Sequence, residues 1–318
     1  MSVPKIELHV HLEGSIRPAT LLDIARRNGE ALPADSVEGL TTLYQFTDFQ
    51  HFLDVWKLTT NCLRTAEDFR QVVVDYAAEA ASFGAVYIEG IFSPAERHIR
   101  GVEWDEMFTG YADGAVEAYE RYGVIVRFTP DLWRSCPPDL AEECARVCAR
   151  YRDRGIVGLG VGGYEPAGPL EPFRKAVEIA ADAGIAFVPH AGESAGAASI
   201  REAVELGAHR IRHGIRAVED PELLAVIAER RIVLDVAPVS NLRTGVVPRI
   251  EEHPLPRLRA AGVLCSISSD DPAMFNTDLS IDYDLAESLG VSAADAFDAG
   301  LAGALCDEAT RTALQKLI

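Results

Sequence analysis

The sequence predicts an α/β chain folded as a single (β/α)8 TIM barrel spanning residues 1–318, with an inserted helical lid after the first strand. Two observations predict it. From about residue 65 onward, helical and strand-like segments alternate without interruption, and the strand segments are continuous apolar runs of the kind buried on both faces in parallel sheets. Counting the run 5–11 near the N-terminus, there are eight such strands, the number that closes into a barrel. No shift in composition marks a second domain. The competing architecture is an open doubly wound sheet, but no Gly-x-Gly-x-x-Gly follows the first strand to mark a dinucleotide site.

The first strand carries His9 and His11 two positions apart. In an extended strand both imidazoles leave one face, as a pair of metal ligands or as part of a polar face. Gly14 to Pro18 reads as a loop into a helix, with Pro18 suited to the first turn. Residues 32–64 are the least regular stretch. Phe46, Phe49, Phe52, Leu53 and Trp56 fall there, enough aromatic surface for a lid over a pocket or for a small local core. Then come helix 66–83 and strand 85–92, helix 104–121 and strand 124–130, helix 138–153 and strand 156–161. Helix 170–183, strand 185–190, helix 197–206 and strand 210–213 follow, then helix 220–229, strand 232–237, a short helix near 254–261 and strand 263–268. Terminal helices occupy 280–318.

Composition bounds the function. Hydrophobic residues make up 48% and charged residues 25%, so the chain can bury a large core. The formal charge of −19 would repel a phosphate backbone and an anionic membrane surface. Nucleic acid and membrane are therefore not expected partners. No apolar run approaches eighteen residues and no leader-like segment opens the chain, which makes a cytoplasmic protein the expectation. The six cysteines form no Cys-x-x-Cys and read as reduced, mostly buried thiols.

Barrel enzymes place their chemistry at the C-terminal ends of the strands, so polar residues that interrupt the apolar runs there carry the information. Strand 1 ends in His9 and His11, strand 5 in His190 followed by Glu193, strand 6 in His213, and strand 8 in Asp270-Asp271. All would surround one mouth. Three imidazoles and a carboxylate make a donor set that suits zinc with a water in the remaining position, whose pKa would fall from about 15.7 towards 7. Glu193, in a closed acidic mouth, could stay protonated and act as a general acid. The combination reads as metal-assisted hydrolysis. A two-metal hydrolase would be expected to carry a modified lysine at the end of strand 4, and this segment, 158–163, has none, so one metal per chain is favoured.

Residues 4–14, His190-Ala-Gly-Glu193, Arg212-His-Gly214, Pro238-Val-Ser-Asn241 and the stretch 268–277 together resemble, in order, the motifs of the adenosine deaminase family. The resemblance implies one Zn2+ held by His9, His11, His190 and Asp270. It implies that Glu193 protonates purine N1, that His213 and Asp270 orient and deprotonate the attacking water, that Asp271 faces N7, and that the Gly163 backbone N–H faces N3. The partner implied is a small-molecule purine nucleoside. Cytidine-type deaminases use a His-x-Glu with a Pro-Cys-x-x-Cys, and only the first half of that signature is matched, by His11-Leu-Glu13.

Two departures bear on the substrate. The family usually has an aspartate, facing the ribose 5′-hydroxyl, where this chain has Glu13, and Asp-Leu-Ala-Gly where this chain has Gly160-Val-Gly-Gly163. Free-adenine deaminases of the family often have a Ser-Ser-Glu segment where this chain has Gly162-Gly-Tyr-Glu165, and that branch fits less well. The expected substrate is a 5′-modified adenosine such as the 6-aminodeoxyfutalosine of menaquinone biosynthesis, with adenosine next and adenine as a further alternative. Its benzoate would want a cation, and Arg17, Arg97 and Arg243, just beyond strands 1, 2 and 7, are the candidates. A catalytically silent nucleoside-binding barrel is the non-enzyme alternative.

Overall fold

A computed structural model describes residues 3–46 and 49–317, the side chains of 49–53 excepted. Eight parallel strand positions ring the molecule: β1 (Lys5–His11), β2 (Ala85–Ile91), β3 (Ile125–Phe128 and Asp131–Trp133), β4 (Gly158–Gly162), β5 (Ala186–Phe187 and His190–Ala191), β6 (Arg210–His213), β7 (Val233–Val236) and β8 (Cys265–Ile267). The sequence did not anticipate that β3 and β5 are each split in two. Pro130 and Pro189 lie in the gaps, and proline has no N–H to give to a ladder. Regular pairing therefore divides into three sheets. Their carbonyls still accept across the gaps: Gly160 N–H donates to Pro130 O (2.8 Å) and Arg212 N–H to Pro189 O (3.0 Å). Between β8 and β1 the ring closes through a parallel bridge from Val10 to Asp270, with His11 N–H donating to Asp270 O at 2.7 Å and Asp270 N–H to His9 O at 3.1 Å. The fold is a (β/α)8 barrel, and the seam that closes it runs through the proposed ligands.

Helices cover the ring where alternation placed them, among them Ala66–Ser82, Trp104–Tyr122 and Pro138–Arg150. The expected helix at 170–183 is shorter: Glu171–Phe173, which contains Pro172, forms a 3-10 turn and the α-helix is Arg174–Asp182. The terminal helix Ala293–Gly303 plugs the N-terminal end of the barrel. Gly303 lies against Leu8 and Arg210, and its carbonyl accepts from Arg210 Nη1 at 2.7 Å. The same guanidinium bonds Glu89 and Asp235 at 2.6 Å each, so a buried cation inside the barrel has two carboxylate partners.

The insertion after β1 contributes helices Val37–Thr41 and Phe49–Asn61. Tyr44 and Val55 pack with Ala273 and Met274 of the segment beyond β8, and the Tyr44 hydroxyl donates to Ile16 O at 2.8 Å. The aromatic cluster thus builds a small core of its own, and that core sits on the barrel mouth. Trp56 brings its ring centroid to 6.0 Å from that of His11. Phe49, Phe52 and Leu53, expected in this cluster, lie outside the described side chains. All six cysteines are free, five of them buried. Among the described residues no helix is long and apolar enough to cross a membrane.

Candidate metal centre and active site

β1 delivers His9 and His11 to the mouth on one side, and β5 and the β8–β1 seam meet them there. Asp270 Oδ1 lies 3.1 Å from His9 Nε2 and 3.4 Å from His11 Nε2, while His190 Nε2 lies 3.2 Å from each of those two nitrogens. Two of these rings have an oxygen beside the outer nitrogen. His9 Nδ1 faces the carbonyl of Asp235 at 3.4 Å, and His190 Nδ1 faces Asp131 Oδ2 at 3.2 Å, close but not aligned as a hydrogen bond. Burial holds the His11 and His190 imidazoles neutral, well below the usual histidine range. The inward Nε2 atoms lie 3.2 Å from one another; with the ring protons on Nδ1 they would present lone pairs to a shared point, the arrangement that suits a cation between them. These residues fit a metal ion, with a carboxylate and a carbonyl behind two of the ligands, as ligating histidines require.

Asp131 and Arg212 were not singled out as site residues by the sequence, although Arg212 lies inside one of its motifs. Asp131 Oδ1 accepts from Arg212, whose other terminal nitrogen donates to Thr129 Oγ1 at 2.7 Å. The signal was the alternation Gly158-x-Gly160-x-Gly162. A Cβ on Gly160 would stand 2.0 Å from Asp131 Oδ1, and one on Gly162 would stand 2.6 Å from Asp131 Oδ2 and 3.1 Å from His190 Nδ1. Glycine is used in β4 because the Asp131–Arg212 pair fills the space its side chains would take.

Asp270 and His213 both hold left-handed backbone, at φ 63° and 61°, a conformation costly for residues other than glycine that concentrates at functional sites. Asp270 Oδ2, the oxygen turned away from His9 and His11, accepts from Ser240 Oγ at 2.6 Å and lies 3.9 Å from His213 Nε2. His9, His190, His213 and Asp270 bring donor atoms within 4.8 Å of one another. Within that group His213 is the residue on the side of the second carboxylate oxygen, Oδ2, whereas His9 and His11 face Oδ1. Burial would raise the Asp270 carboxyl, but the imidazoles of His9, His213 and His11 hold it well below its usual range.

Its neighbours behave oppositely. Burial, reinforced by Asp270 and Glu165, pushes the Glu193 carboxyl up to about 8. Burial and then Asp270 push Asp271 well above its usual value, and Asp271 Oδ1 has no hydrogen-bond partner. Glu193 is thus a proton carrier at neutral pH. Gly14 makes room for Asp271, since a Cβ there would stand 1.8 Å from its Oδ1. Glu193 is placed by a residue the sequence left without a role. Buried Glu165 accepts from the backbone N–H groups of Gly192 (2.9 Å), Glu193 (2.8 Å) and Ser194 (2.8 Å), and from Ser199 Oγ (2.5 Å), and so anchors the loop that carries the acid. Glu193 Oε2 then lies 3.7 Å from His213 Nε2.

A profile named adenosine deaminase matches residues 4–318. The chain belongs to the adenosine deaminase family. An aminodeoxyfutalosine deaminase from Acidothermus cellulolyticus is 55% identical to it over 99% of this chain and 91% of its own length. An adenine deaminase from Cupriavidus necator is 37% identical over 92% of this chain and 84% of its own. A Burkholderia ambifaria amidohydrolase solved with bound Zn superposes with a TM-score of 0.87 at 26% identity, covering 99% of this chain and 89% of that one.

The nucleoside side of this family member's mouth is less settled by internal bonds than its metal side. Gly163, at φ +85°, is exposed, and its N–H has no acceptor among the described residues. Glu13 is buried, accepts from Ser93 N–H at 3.0 Å through Oε2, and leaves Oε1 unpaired; burial, partly offset by Arg97, pushes its carboxyl up to about 7. The structure separates the three arginines. Arg17 is consumed by Glu79 (2.5 and 2.9 Å) and by the carbonyls of Pro272 (3.2 Å) and Thr277 (2.8 Å), so it acts as a clamp between the first helix and the segment beyond β8. The expectation that it faces substrate is corrected on that ground. Arg243 ends the short helix Pro238–Arg243 and points into solvent with no ion pair among the described residues. Arg97 is 2% exposed behind Glu13, and its Nε and Nη2 have no hydrogen-bond acceptor, although Nη2 lies 3.1 Å from Glu96.

Proposed function

We propose that this chain is a zinc-dependent hydrolase that converts a 6-aminopurine nucleoside to its 6-oxo product with release of ammonia, and that its substrate is 6-aminodeoxyfutalosine. The observation that carries the reaction is the pairing of an inward-facing His9, His11, His190 and Asp270 cluster with a carboxylic acid, Glu193, that stays protonated at neutral pH. The nitrogen-rich donor set suits zinc, and the zinc in the Burkholderia ambifaria protein is in keeping with it. When bound, the ion supplies a water that is nucleophilic near pH 7.

This chain's residues do the rest. Glu193 gives its proton to purine N1, which draws electrons from C6. Asp271 faces N7, and the Gly163 N–H meets N3. Water attacks C6 and loses a proton to Asp270 Oδ2, while His213, whose Nε2 lies 3.9 Å from that oxygen, orients it. That proton passes to the amino nitrogen, the C6–N bond breaks and ammonia leaves; the remaining hydroxyl proton returns to the Glu193 carboxylate, giving the C6 carbonyl, and N1 keeps its proton in the 6-oxopurine. General acid–base groups so placed contribute about 10²–10⁴-fold to the rate.

For the substrate, Arg97 and Glu13 support the reading. Buried N–H groups without acceptors are rare, and where they occur next to a site they are places a ligand completes. The 3-carboxyphenyl group of 6-aminodeoxyfutalosine would bring a carboxylate to Arg97, and the Acidothermus cellulolyticus relative is in keeping with this choice. kcat/KM measured on 6-aminodeoxyfutalosine, 5′-deoxyadenosine, adenosine and adenine tests it. The first is expected to lead, with adenosine slower; a clear preference for adenosine or adenine would overturn the assignment.

A further inference from the structure

Behind His213, on the side away from the metal cluster, runs a chain of hydrogen bonds whose direction can be read from its far end. The backbone N–H of Leu255 donates to His253 Nδ1 at 3.1 Å. A backbone amide can only donate, so that nitrogen is the acceptor of a neutral ring and the proton of His253 sits on Nε2. His253 Nε2 lies 3.3 Å from Asn241 Oδ1, the orientation in which the amide presents its oxygen to the donor. Asn241 Nδ2 then lies 3.3 Å from His213 Nδ1. Because the amide nitrogen donates, His213 Nδ1 accepts, and the proton of neutral His213 stands on Nε2, towards Glu193 and Asp270.

Each link is held in place. Asn241 is fully buried on Pro238–Arg243, where its N–H donates to Ala237 O at 3.0 Å and its carbonyl accepts from Val247 N–H at 2.9 Å. His253 is 4% exposed and follows the turn Ile250–Glu252. Burial holds its ring down to about 4, so it stays neutral at physiological pH and the direction of the chain is not reversed there.

We infer that Asn241 and His253 are positioning residues that fix His213 as its Nε2–H tautomer, making His213 a hydrogen-bond donor to the attacking oxygen and leaving Asp270 Oδ2 as the proton acceptor. The reason lies in what an imidazole between two carboxyl groups would otherwise do. Neutral histidine has two tautomers of similar energy, and one with the proton on Nδ1 would turn a bare lone pair on the incoming oxygen. The wrong tautomer in a catalytic histidine leaves the geometry intact and slows the reaction by orders of magnitude. A single backbone amide, relayed through one ring and one side-chain amide, selects against it.

Asn241→Asp tests the relay because it keeps the shape and reverses the end facing His213: a carboxylate accepts from Nδ1–H and leaves Nε2 bare. His253→Gln keeps a donor for Asn241, whereas His253→Ala removes the reference and frees the amide to flip. ¹⁵N-histidine NMR of the zinc-loaded enzyme is expected to show His213, assigned by its loss in His213→Gln, as Nε2–H in the native protein and in His253→Gln, and as Nδ1–H in Asn241→Asp. kcat on the best substrate of the panel above is expected to fall at least ~100-fold in Asn241→Asp, with KM and metal content unchanged, and to stay within about threefold in His253→Gln while His253→Ala falls about tenfold. A native Nδ1–H signal would overturn the inference, as would Asn241→Asp or His253→Ala proteins that are folded, metal-loaded and as fast as native. The rate arm rests on the deaminase reading; the tautomer arm does not, so a protein that deaminates nothing but shows Nε2–H sinks only the former. If Asn241→Asp fails to fold, the native and His253→Gln spectra still decide.

Discussion

The two walls of the barrel mouth are finished to different degrees. On the metal wall most outward atoms have a neighbour: His9 faces the Asp235 carbonyl, His190 lies beside Asp131, His213 faces Asn241, and Asp270 accepts from Ser240, although His11 Nδ1 and His190 Nδ1 make no hydrogen bond. On the nucleoside wall, Glu13 Oε1, Arg97 Nε and Nη2 and the Tyr111 hydroxyl are buried without hydrogen-bond partners. An unpaired buried polar group costs about 1–3 kcal/mol, so four such atoms in one place are tolerable in a folded protein when something else completes them. On the reading proposed above, the difference teaches that the reacting groups are positioned by the protein itself, whereas the atoms that would read the substrate wait for it.

The strongest way to break that comparison is to disable the metal wall without disturbing its ligands. Glu193→Gln is expected to keep one zinc per chain and to lower kcat/KM by about 10³-fold, within the range general acids contribute. Metal analysis beside steady-state kinetics checks both halves, and equal activity would remove Glu193 from the mechanism. The pH profile gives the sign. Burial raises this carboxyl to about 8, so the acid form that donates to N1 is present below that pH and is lost above it; native kcat/KM should fall on the alkaline side, and the residual rate of Glu193→Gln should lack that limb.

Most of the metal wall was legible in the sequence because each proposed ligand interrupts an apolar strand towards its C-terminal end, where a polar side chain stands out against the core. His9, His11, His190 and Asp270 come together as the alternating pattern implied. The residues behind them were harder to see for a physical reason. Asp131 follows a proline that cuts β3 in two, so it reads as the start of a loop, and Arg212 and Asn241 read as parts of motifs without work of their own. Glu165 is more instructive still: it touches no proposed reacting atom and acts by accepting from the backbone of a loop 27 to 29 positions further on, a long-range contact that no local pattern encodes. For the arginines the sequence could offer only proximity to strand ends. Which guanidinium is spent on carboxylates and which is not depends on packing.

A smaller effect should follow from weakening the support of a single ligand. Asp131→Asn keeps an oxygen for His190 but removes the charge that Arg212 and His190 share. Changes of this kind behind a ligating histidine typically cost 10–100-fold in metal affinity, and a loss of about that size is expected in competition with a chelator. The melting temperature should fall as well, since Arg212 is fully buried and would lose its counter-charge, a change worth roughly 3–5 kcal/mol. Unaltered metal affinity in a destabilised variant would mean that Asp131 serves the fold alone.

The smallest expected change is the one that speaks to the nucleoside wall. If Arg97 meets the carboxylate of the substrate, Arg97→Gln removes a charge-assisted bond worth about 1.5–3 kcal/mol, and kcat/KM for 6-aminodeoxyfutalosine should fall at least about tenfold. Adenosine has no such carboxylate and should lose less than about twofold by the same argument. The ratio is the measurement that matters, because Arg97 also offsets the burial of Glu13, and any damage from disturbing that pair would reach both substrates alike. An equal loss on the two would place Arg97 with Arg17, as a cation that holds the mouth together and reads nothing.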